Sequence, residues 1–274
     1  MIDSATVIAG RPPDDVELPA VVLQLAGGHP TRPLWSNELG GLTVAVDAPS
    51  PMVVKWAPPA QRAELLAEVE RLAWAADWTP VPEVLDHGVD HDTGGAWMVT
   101  RRLAGTSAVD RRWLADPTPV VRAIGTGLRA LHDALPVDRC PYSWSLAARR
   151  AEAHHRAEAG LVDPASWHED LGDLDLTGAL AVVDALSEDL ADPVVCHGDA
   201  CAPNTLVDDR GGWIAHVDLG RLGVADRWAD LAIATWSTVW NFGTGWEDTL
   251  LDAYGTDPDP VRTRGYRVLW ELGD

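Results

Sequence analysis

The sequence predicts an α+β protein in which an antiparallel sheet with one inserted helix precedes a mainly helical region. Two observations support this class. Apolar and polar residues alternate as in strands between Trp35 and Thr100, and beyond residue 104 the apolar residues recur at helical spacing. A chain of 274 residues is long enough for two lobes with buried cores. We therefore expect an N-terminal lobe over 1–103, a hinge near 101–103 and a helical C-terminal lobe over 104–274.

The predicted N-terminal lobe starts irregularly and becomes rich in strands. Residues 1–30 contain many Pro, Asp and Gly residues, and their short apolar run Val21–Leu25 favours an irregular or edge-strand entry. The elements predicted after it are a hairpin that ends at Lys55, a helix over Pro59–Ala76, and strands over Val81–Leu85 and Ala96–Thr100.

The predicted C-terminal lobe contains helices over Val120–Leu135, Leu146–Ala159 and Leu176–Leu190. The first of these includes Gly125-Thr126-Gly127, which lacks the third glycine of a dinucleotide-binding fingerprint and does not follow a strand. We therefore do not interpret it as a cofactor motif.

Charge and composition exclude several classes of function. The 42 acidic residues outnumber the 21 basic residues and give a net charge of −21, which repels nucleic acid and anionic lipid but attracts cations. No apolar run approaches the roughly 20 residues that span a bilayer, and the first residues do not resemble a signal peptide. We expect a cytoplasmic protein whose three cysteines form neither a disulfide framework nor a zinc site.

One basic residue is unusual. Of the 21 basic residues, Lys55 is the only lysine, and it ends the apolar run Met52-Val53-Val54. The compact ammonium group of lysine suits contact with a phosphate. A chance surface position is the alternative, and we favour the functional interpretation.

The most informative segment runs from Val194 to Gly220. His197-Gly198-Asp199 is followed five residues later by Asn204, and a short predicted strand, Trp213–Val217, leads to Asp218-Leu219-Gly220. This spacing is that of a kinase catalytic loop, in which the first Asp accepts the proton of the attacking hydroxyl while the Asn and the second Asp bind magnesium. We predict Asp199 as the catalytic residue and Asn204 and Asp218 as metal ligands.

Other interpretations of these residues exist. His197 is expected to be a packed histidine that supports the loop, and Asp199 alone could be a turn residue. A metal hydrolase would use His197, Asp199, His216 and Asp218 as ligands, but it leaves Lys55 and Asn204 without a role. A serine hydrolase is weaker still, because the chain has no G-x-S-x-G motif.

A kinase also needs a glutamate on the helix after the lysine strand, because that carboxylate holds the lysine by an ion pair. Glu64, Glu68 and Glu70 are the candidates. We choose Glu68 because it borders the apolar face formed by Val69, Leu72 and Ala73.

With these residues assigned, the sequence resembles the small-molecule kinases typified by aminoglycoside 3′-phosphotransferases, which have the protein-kinase-like fold. The similarity is close over residues 194–235, from His197-Gly198-Asp199 to Asp226-Arg227-Trp228-Ala229-Asp230, and weaker but collinear over about 35–270. The resemblance implies that Arg101–Leu103 offers backbone groups to adenine and that Asp226 and Asp230 brace the magnesium loop. It also implies that Arg221 lies beside the acceptor.

The sequence departs from the family where the acceptor is expected. An Arg and acidic residues are usual after the Asp230 helix, but here Trp236, Trp240 and Asn241 take those places, and near the C-terminus Glu271 is kept while Trp270 replaces an Asp. The loop Ser36–Gly41 also differs, although Gly40 and Gly41 would let backbone amides approach a phosphate.

The resemblance implies an O-phosphotransferase that uses ATP, with GTP not excluded, and Mg²⁺. Its acceptor would be a hydroxyl on an aminoglycoside-like or amino-sugar compound, consistent with the negative charge, and its role could be antibiotic resistance. Two alternatives stay open: a kinase of a less cationic metabolite or natural product that stacks on Trp236, Trp240 or Trp246, and a silent nucleotide-binding module.

Overall fold

The computed structural model describes residues 9–10, 12–13, 15–37, 39–187 and 193–273. The chain divides into two compact units, Met1–Ala104 and Gly105–Asp274. The boundary predicted from the sequence falls after residue 103, one residue earlier.

The first unit is built around a single antiparallel sheet. Its strands are β1 (Ala9–Gly10), β2 (Thr31–Asn37), β3 (Leu42–Val46), β4 (Met52–Ala57), β5 (Val84–Val89) and β6 (Ala96–Arg101). The strand order is β1-β2-β3-β4-β6-β5. Lys55 lies within β4, opposite Thr43 and Met98, so the hairpin continues two residues beyond its predicted end.

Two predictions for this unit are wrong. The run Val21–Leu25 belongs to helix α1 (Ala20–Ala26), which starts after Pro19 and ends at Gly27 in the left-handed conformation. Val22 and Ala26, four residues apart, are buried, which helical spacing permits. The strand predicted over Val81–Leu85 begins only at Val84, because Pro82 has no N–H to donate to a neighbouring strand.

Helix α2 (Arg62–Ala75) supplies one face of this unit's interior. Pro58 and Pro59 precede it and form a short helical turn, where a missing backbone N–H is tolerated. Its buried residues recur at helical spacing and are Leu65, Glu68, Val69, Leu72 and Ala75. A glutamate therefore lies on the buried face of the helix.

The second unit is mainly helical. Its helices are α3 (Thr118–Ala134), α4 (Leu146–Glu158), α5 (Leu176–Asp184), α6 (Trp228–Phe242), α7 (Glu247–Tyr254) and α8 (Pro260–Gly273). Helix α5 ends at Asp184, before the predicted Leu190, and residues 188–190 lie outside the described ranges. Helix α6 is buried from Trp228 to Thr238 and packs against α7 and α8.

Two small sheets carry the loops of this unit. The strands β7 (Thr106–Ser107), β9 (Thr205–Val207) and β10 (Trp213–His216) form one sheet, and β8 (Val194–Cys196) pairs with β11 (Gly223–Ala225) in the other. The predicted α+β class is confirmed. Among the residues described, no helix is both long and apolar enough to cross a membrane.

Candidate active site

The loop between β8 and β9 carries Asp199, and its shape depends on His197. The imidazole Nε2–H donates to the carbonyl oxygen of Val217 at 2.9 Å, while Nδ1 accepts the backbone N–H of Asp199 at 3.2 Å. Both ring nitrogens are therefore used to hold the loop. A metal hydrolase would need one of them as a ligand, so the geometry argues against that alternative.

Asn204 connects the same loop to the segment that carries Asp218. Its side-chain Nδ2 donates to the carbonyl oxygen of Asp199 at 2.9 Å, and its backbone carbonyl oxygen accepts the N–H of Val217 at 3.0 Å. The two predicted metal ligands are thus attached to one hydrogen-bonded framework. Asp218 has φ of 63° and is the single non-glycine residue with positive φ in the described ranges. Strain of this kind persists where the surroundings impose it, often at functional sites.

Asp230, in the first turn of α6, forms hydrogen bonds with the backbone of the catalytic loop. Its carboxylate accepts the backbone N–H groups of His197 at 2.6 Å and Gly198 at 2.9 Å, and it contacts His132 Nε2 at 2.9 Å. Burial raises the pKa of Asp230, but hydrogen bonds and charge interactions with His132, His197 and Gly198 outweigh this effect and lower the pKa overall. The carboxylate that accepts these hydrogen bonds from the loop therefore stays charged.

Close packing around residue 198 explains why the motif His197-Gly198-Asp199 has a glycine at its centre. Gly198 has φ of 85°, and a Cβ atom there would lie 2.3 Å from the carbonyl oxygen of Arg221. Any side chain would push the loop away from the segment after Asp218.

A buried group of His132, Cys196 and Asp230 has atoms close enough to share a metal. Each of these residues already has a protein partner. His132 Nδ1 lies 2.8 Å from the Tyr254 hydroxyl, and the Cys196 thiol donates to the carbonyl of Asp226. The group is a hydrogen-bonded support for the loop.

In the first unit, Lys55 Nζ lies 2.7 Å from Glu68 Oε2. Glu68 is 5% exposed, whereas the rival candidates Glu64 and Glu70 are exposed to solvent. The structure thus brings together the two residues that the sequence analysis paired. A buried carboxylate fixes the ammonium group at a defined position on β4.

The other residues predicted to bind nucleotide have partners of their own. The N–H of Gly40 donates to the Asn37 carbonyl, and the N–H of Gly41 donates to Asn37 Oδ1 at 2.7 Å. A phosphate would have to displace Asn37 to use these amides, so the structure does not present them as predicted. The Arg101 N–H donates to the Glu83 carbonyl, and Leu103 follows β6 at the end of this unit.

The predicted acceptor residues in the second unit fall into two groups. Trp236 is 0% exposed and its Nε1–H donates to Asp170, so it is a packed residue. Its prediction as an acceptor residue is wrong, and so is the alternative in which an acceptor stacks on its ring. Trp240 is 42% exposed and lies 5.1 Å from the Trp236 ring. Asn241 donates to Ser237, one turn earlier in α6.

Glu271 and Arg221 have defined surroundings as well. Glu271 Oε1 accepts the N–H of His168 at 3.0 Å. The Arg221 guanidinium lies over the rings of Trp144 and Trp270, at 5.7 and 5.6 Å from their centres. Trp270 thus stacks on the arginine that follows Asp218-Leu219-Gly220.

Sequence reasoning missed several contributors to this region. The hydroxyl of Ser237 accepts the N–H of Ala202 in the catalytic loop at 2.9 Å, so α6 supports that loop at a second point. The Trp236 side chain contacts His168, Asp170 and Arg267. No motif marks these residues, because they come together from distant segments. We call His168, Asp170, Trp236, Trp240 and Glu271 the Trp236 cluster.

Comparison with known proteins shows the family. Residues 36–266 match the profile of the phosphotransferase enzyme family. The chain belongs to this family. The resemblance inferred from the catalytic motif and the predicted enzyme class are therefore confirmed.

Two relatives with named activities are similar over most of their length. An aminoglycoside 3′-phosphotransferase of Streptomyces fradiae is 37% identical over 261 residues, which cover 92% of this chain and 91% of the relative. A streptomycin 3″-kinase of Streptomyces griseus is 36% identical over 252 residues, with 84% and 87% covered.

Solved structures of the family have the same fold. A type VIII aminoglycoside 3′-phosphotransferase has a TM-score of 0.76 at 30% identity, with 92% of this chain and 97% of that chain covered. The phosphotransferase APH(3″)-Id of Streptomyces rimosus, in complex with ADP and streptomycin, has a TM-score of 0.71 at 28% identity, with 92% and 97% covered.

Proposed function

We propose that this phosphotransferase moves the γ-phosphoryl group of ATP to a hydroxyl of an aminoglycoside and so confers resistance to that antibiotic. The hydrogen-bonded loop that holds Asp199 carries the proposal. His197, Asn204 and Asp230 fix its backbone, so the carboxylate is the part left to act on an acceptor. The Streptomyces relatives named for aminoglycosides support this substrate class.

Asp199 would orient the acceptor hydroxyl and accept its proton as the oxygen attacks phosphorus. Lys55, held by Glu68, would contact the nucleotide phosphates. Arg101 and Leu103 would offer backbone groups to adenine. Glu271 and Trp240 would contact the acceptor, and Arg221 would lie beside it.

Asn204 and Asp218 fit a magnesium ion by the chemistry of their donors. Amide and carboxylate oxygens are the hard ligands that Mg²⁺ prefers, and the bond to the Asp199 carbonyl uses the amide nitrogen of Asn204 and not its oxygen. When bound, the ion would neutralise charge on the phosphates. ATP is proposed as the donor because the Streptomyces rimosus relative was solved with ADP.

The acceptor hydroxyl has two candidates, since one relative is named for the 3′ position and another for the 3″ position. A kinase of a less cationic natural product is the second candidate function. The exposed ring of Trp240 favours this second function, because an aromatic plane replaces a charged contact with stacking.

The cytoplasmic location remains a prediction from the sequence.

An ATP-consumption assay tests the proposal. The purified chain is incubated with Mg²⁺, ATP and each of a panel that includes kanamycin, streptomycin and uncharged hydroxylated natural products, and products are analysed by mass spectrometry. We expect one phosphate to be added to an aminoglycoside. Transfer only to uncharged compounds would favour the second candidate, and no transfer to any compound would overturn both.

A further inference from the structure

Arg267 lies beside the Trp236 cluster, close to the carboxylates of Asp170 and Glu247. The Arg267 guanidinium of α8 is 3.7 Å from Glu247 and 4.0 Å from Asp170, and it covers the Trp236 ring at 5.4 Å. Its side chain is 13% exposed, whereas those of Glu247 and Asp170 are 37% and 44% exposed. The cation is thus interior, and both carboxylates reach solvent.

Arg267 is held firmly in this position. Its Nε donates to the Ala232 carbonyl at 3.3 Å and a terminal nitrogen donates to the Thr235 hydroxyl at 3.2 Å, which attach α8 to α6. Burial lowers the pKa of Arg267, and Glu247 and Asp170 oppose that shift. An arginine stays charged at neutral pH in either case.

The cluster adjoins the catalytic loop along α6. Ser237, which follows Trp236, accepts the N–H of Ala202, three residues after Asp199. Trp240 follows Ser237 by three residues, and its exposed ring lies 5.1 Å from the Trp236 ring. Groups next to a hydroxyl that reaches Asp199 would therefore extend along α6 towards this cluster.

The geometry points to Arg267 as a specificity-determining residue, a built-in cation that neutralises part of the charge of Asp170 and Glu247 and so limits how strongly the site attracts polycationic acceptors. This inference rests on the proposed function. The three side chains together carry one negative charge, and removing Arg267 would leave two. Because the carboxylates are partly exposed, their attraction for an amine acts through solvent and weakens with salt.

Arg267→Met tests this role because methionine keeps an apolar stem over Trp236 and removes the charge. The acceptor is whichever of kanamycin and streptomycin the parent phosphorylates. We expect its KM to fall about three- to tenfold at low salt, with a steeper dependence on ionic strength, while the KM for ATP stays unchanged. A purely structural role would raise the acceptor KM or lower kcat, so an unchanged or higher acceptor KM overturns the inference.

Arg264→Met is the matched control. Arg264 also lies on α8 and pairs with an acidic residue, Asp173, at 2.7 Å, but both side chains are well exposed. This variant should keep the parental acceptor KM. If Arg267→Met does not fold, Arg267→Gln is measured in the same way and the same outcomes apply.

The double variant Arg267→Met/Glu247→Gln restores the net charge and should return the acceptor KM and its salt dependence towards the parental values. If the parent phosphorylates neither compound, the proposed function fails. Calorimetric binding of both compounds then decides the role of Arg267, and an unchanged Kd in Arg267→Met overturns it.

Discussion

At the scale of single residues, the backbone of Asp199 holds the loop, and its carboxylate is proposed to act on the acceptor. The contacts that hold its loop use its backbone N–H and carbonyl, so an amide in place of the carboxylate leaves them intact. Asp199→Asn should lower kcat about 10²- to 10⁴-fold, because the amide cannot accept the hydroxyl proton. Affinity for ADP and the melting temperature should change little. A loss of turnover of this size, with ADP binding retained in calorimetry, is the expected result, and near-normal turnover would remove Asp199 from its role.

Substitution of Lys55 tests whether a positive charge alone is enough for the proposed contact with the nucleotide phosphates. Its ammonium group is 2.7 Å from Glu68, within a side chain only 24% exposed. Lys55→Arg keeps the charge but introduces a planar, larger group that does not place its nitrogen between Glu68 and a phosphate. We expect the KM for ATP to rise about tenfold or more, with the acceptor KM less affected. Steady-state kinetics with each substrate varied would contradict this role if the arginine variant matched the parent.

At the scale of elements, helix α6 supports the catalytic loop at two points of different strength. Asp230 accepts two loop N–H groups with a buried charge, whereas Ser237 accepts one with a neutral hydroxyl. Asp230→Asn should destabilise the protein by at least about 2 kcal/mol, because the amide places a donor against a backbone donor. Ser237→Ala should cost about 1 kcal/mol. Urea unfolding of both variants measures the two losses of unfolding free energy. Equal losses would contradict the larger contribution expected from Asp230.

The same elements show what a sequence can predict. The catalytic motif was recognisable because its residues are close in sequence and their chemistry fixes their types, and the choice of Glu68 followed from helical spacing. Trp236 was misplaced because α6 is buried on all sides from Trp228 to Thr238, so periodicity does not distinguish its faces. The run Val21–Leu25 is short enough to fit a strand or a helix, and only Gly27 indicates the helix end. Arg267 and Asp170 are nearly 100 residues apart and share no local pattern.

At the scale of the whole molecule, the stability of the fold should depend on pH through a histidine that burial keeps neutral. His216 is 1% exposed and lies edge-on to His197, with ring centres 5.5 Å apart. Burial, with a smaller electrostatic contribution from the neighbouring His197, lowers the pKa of His216 from 6.5 to about 3. Between these values the unfolded chain binds a proton that the folded protein does not. Stability is therefore present above pH 6.5 and declines as the pH falls towards 3.

This linkage gives a measurable slope. From pH 7 to pH 5, protonation of His216 in the unfolded chain should lower the free energy of unfolding by about 2 kcal/mol. His216→Phe keeps an aromatic ring against His197 and Trp213 but has no proton to bind, so its stability should fall by about 2 kcal/mol less over the same interval. Urea unfolding at both pH values, followed by tryptophan fluorescence, measures this difference, which cancels the contributions of the other titrating groups. Identical pH dependence in the parent and the variant would mean that His216 takes up its proton in the folded protein, and the buried, neutral state inferred for it would be wrong.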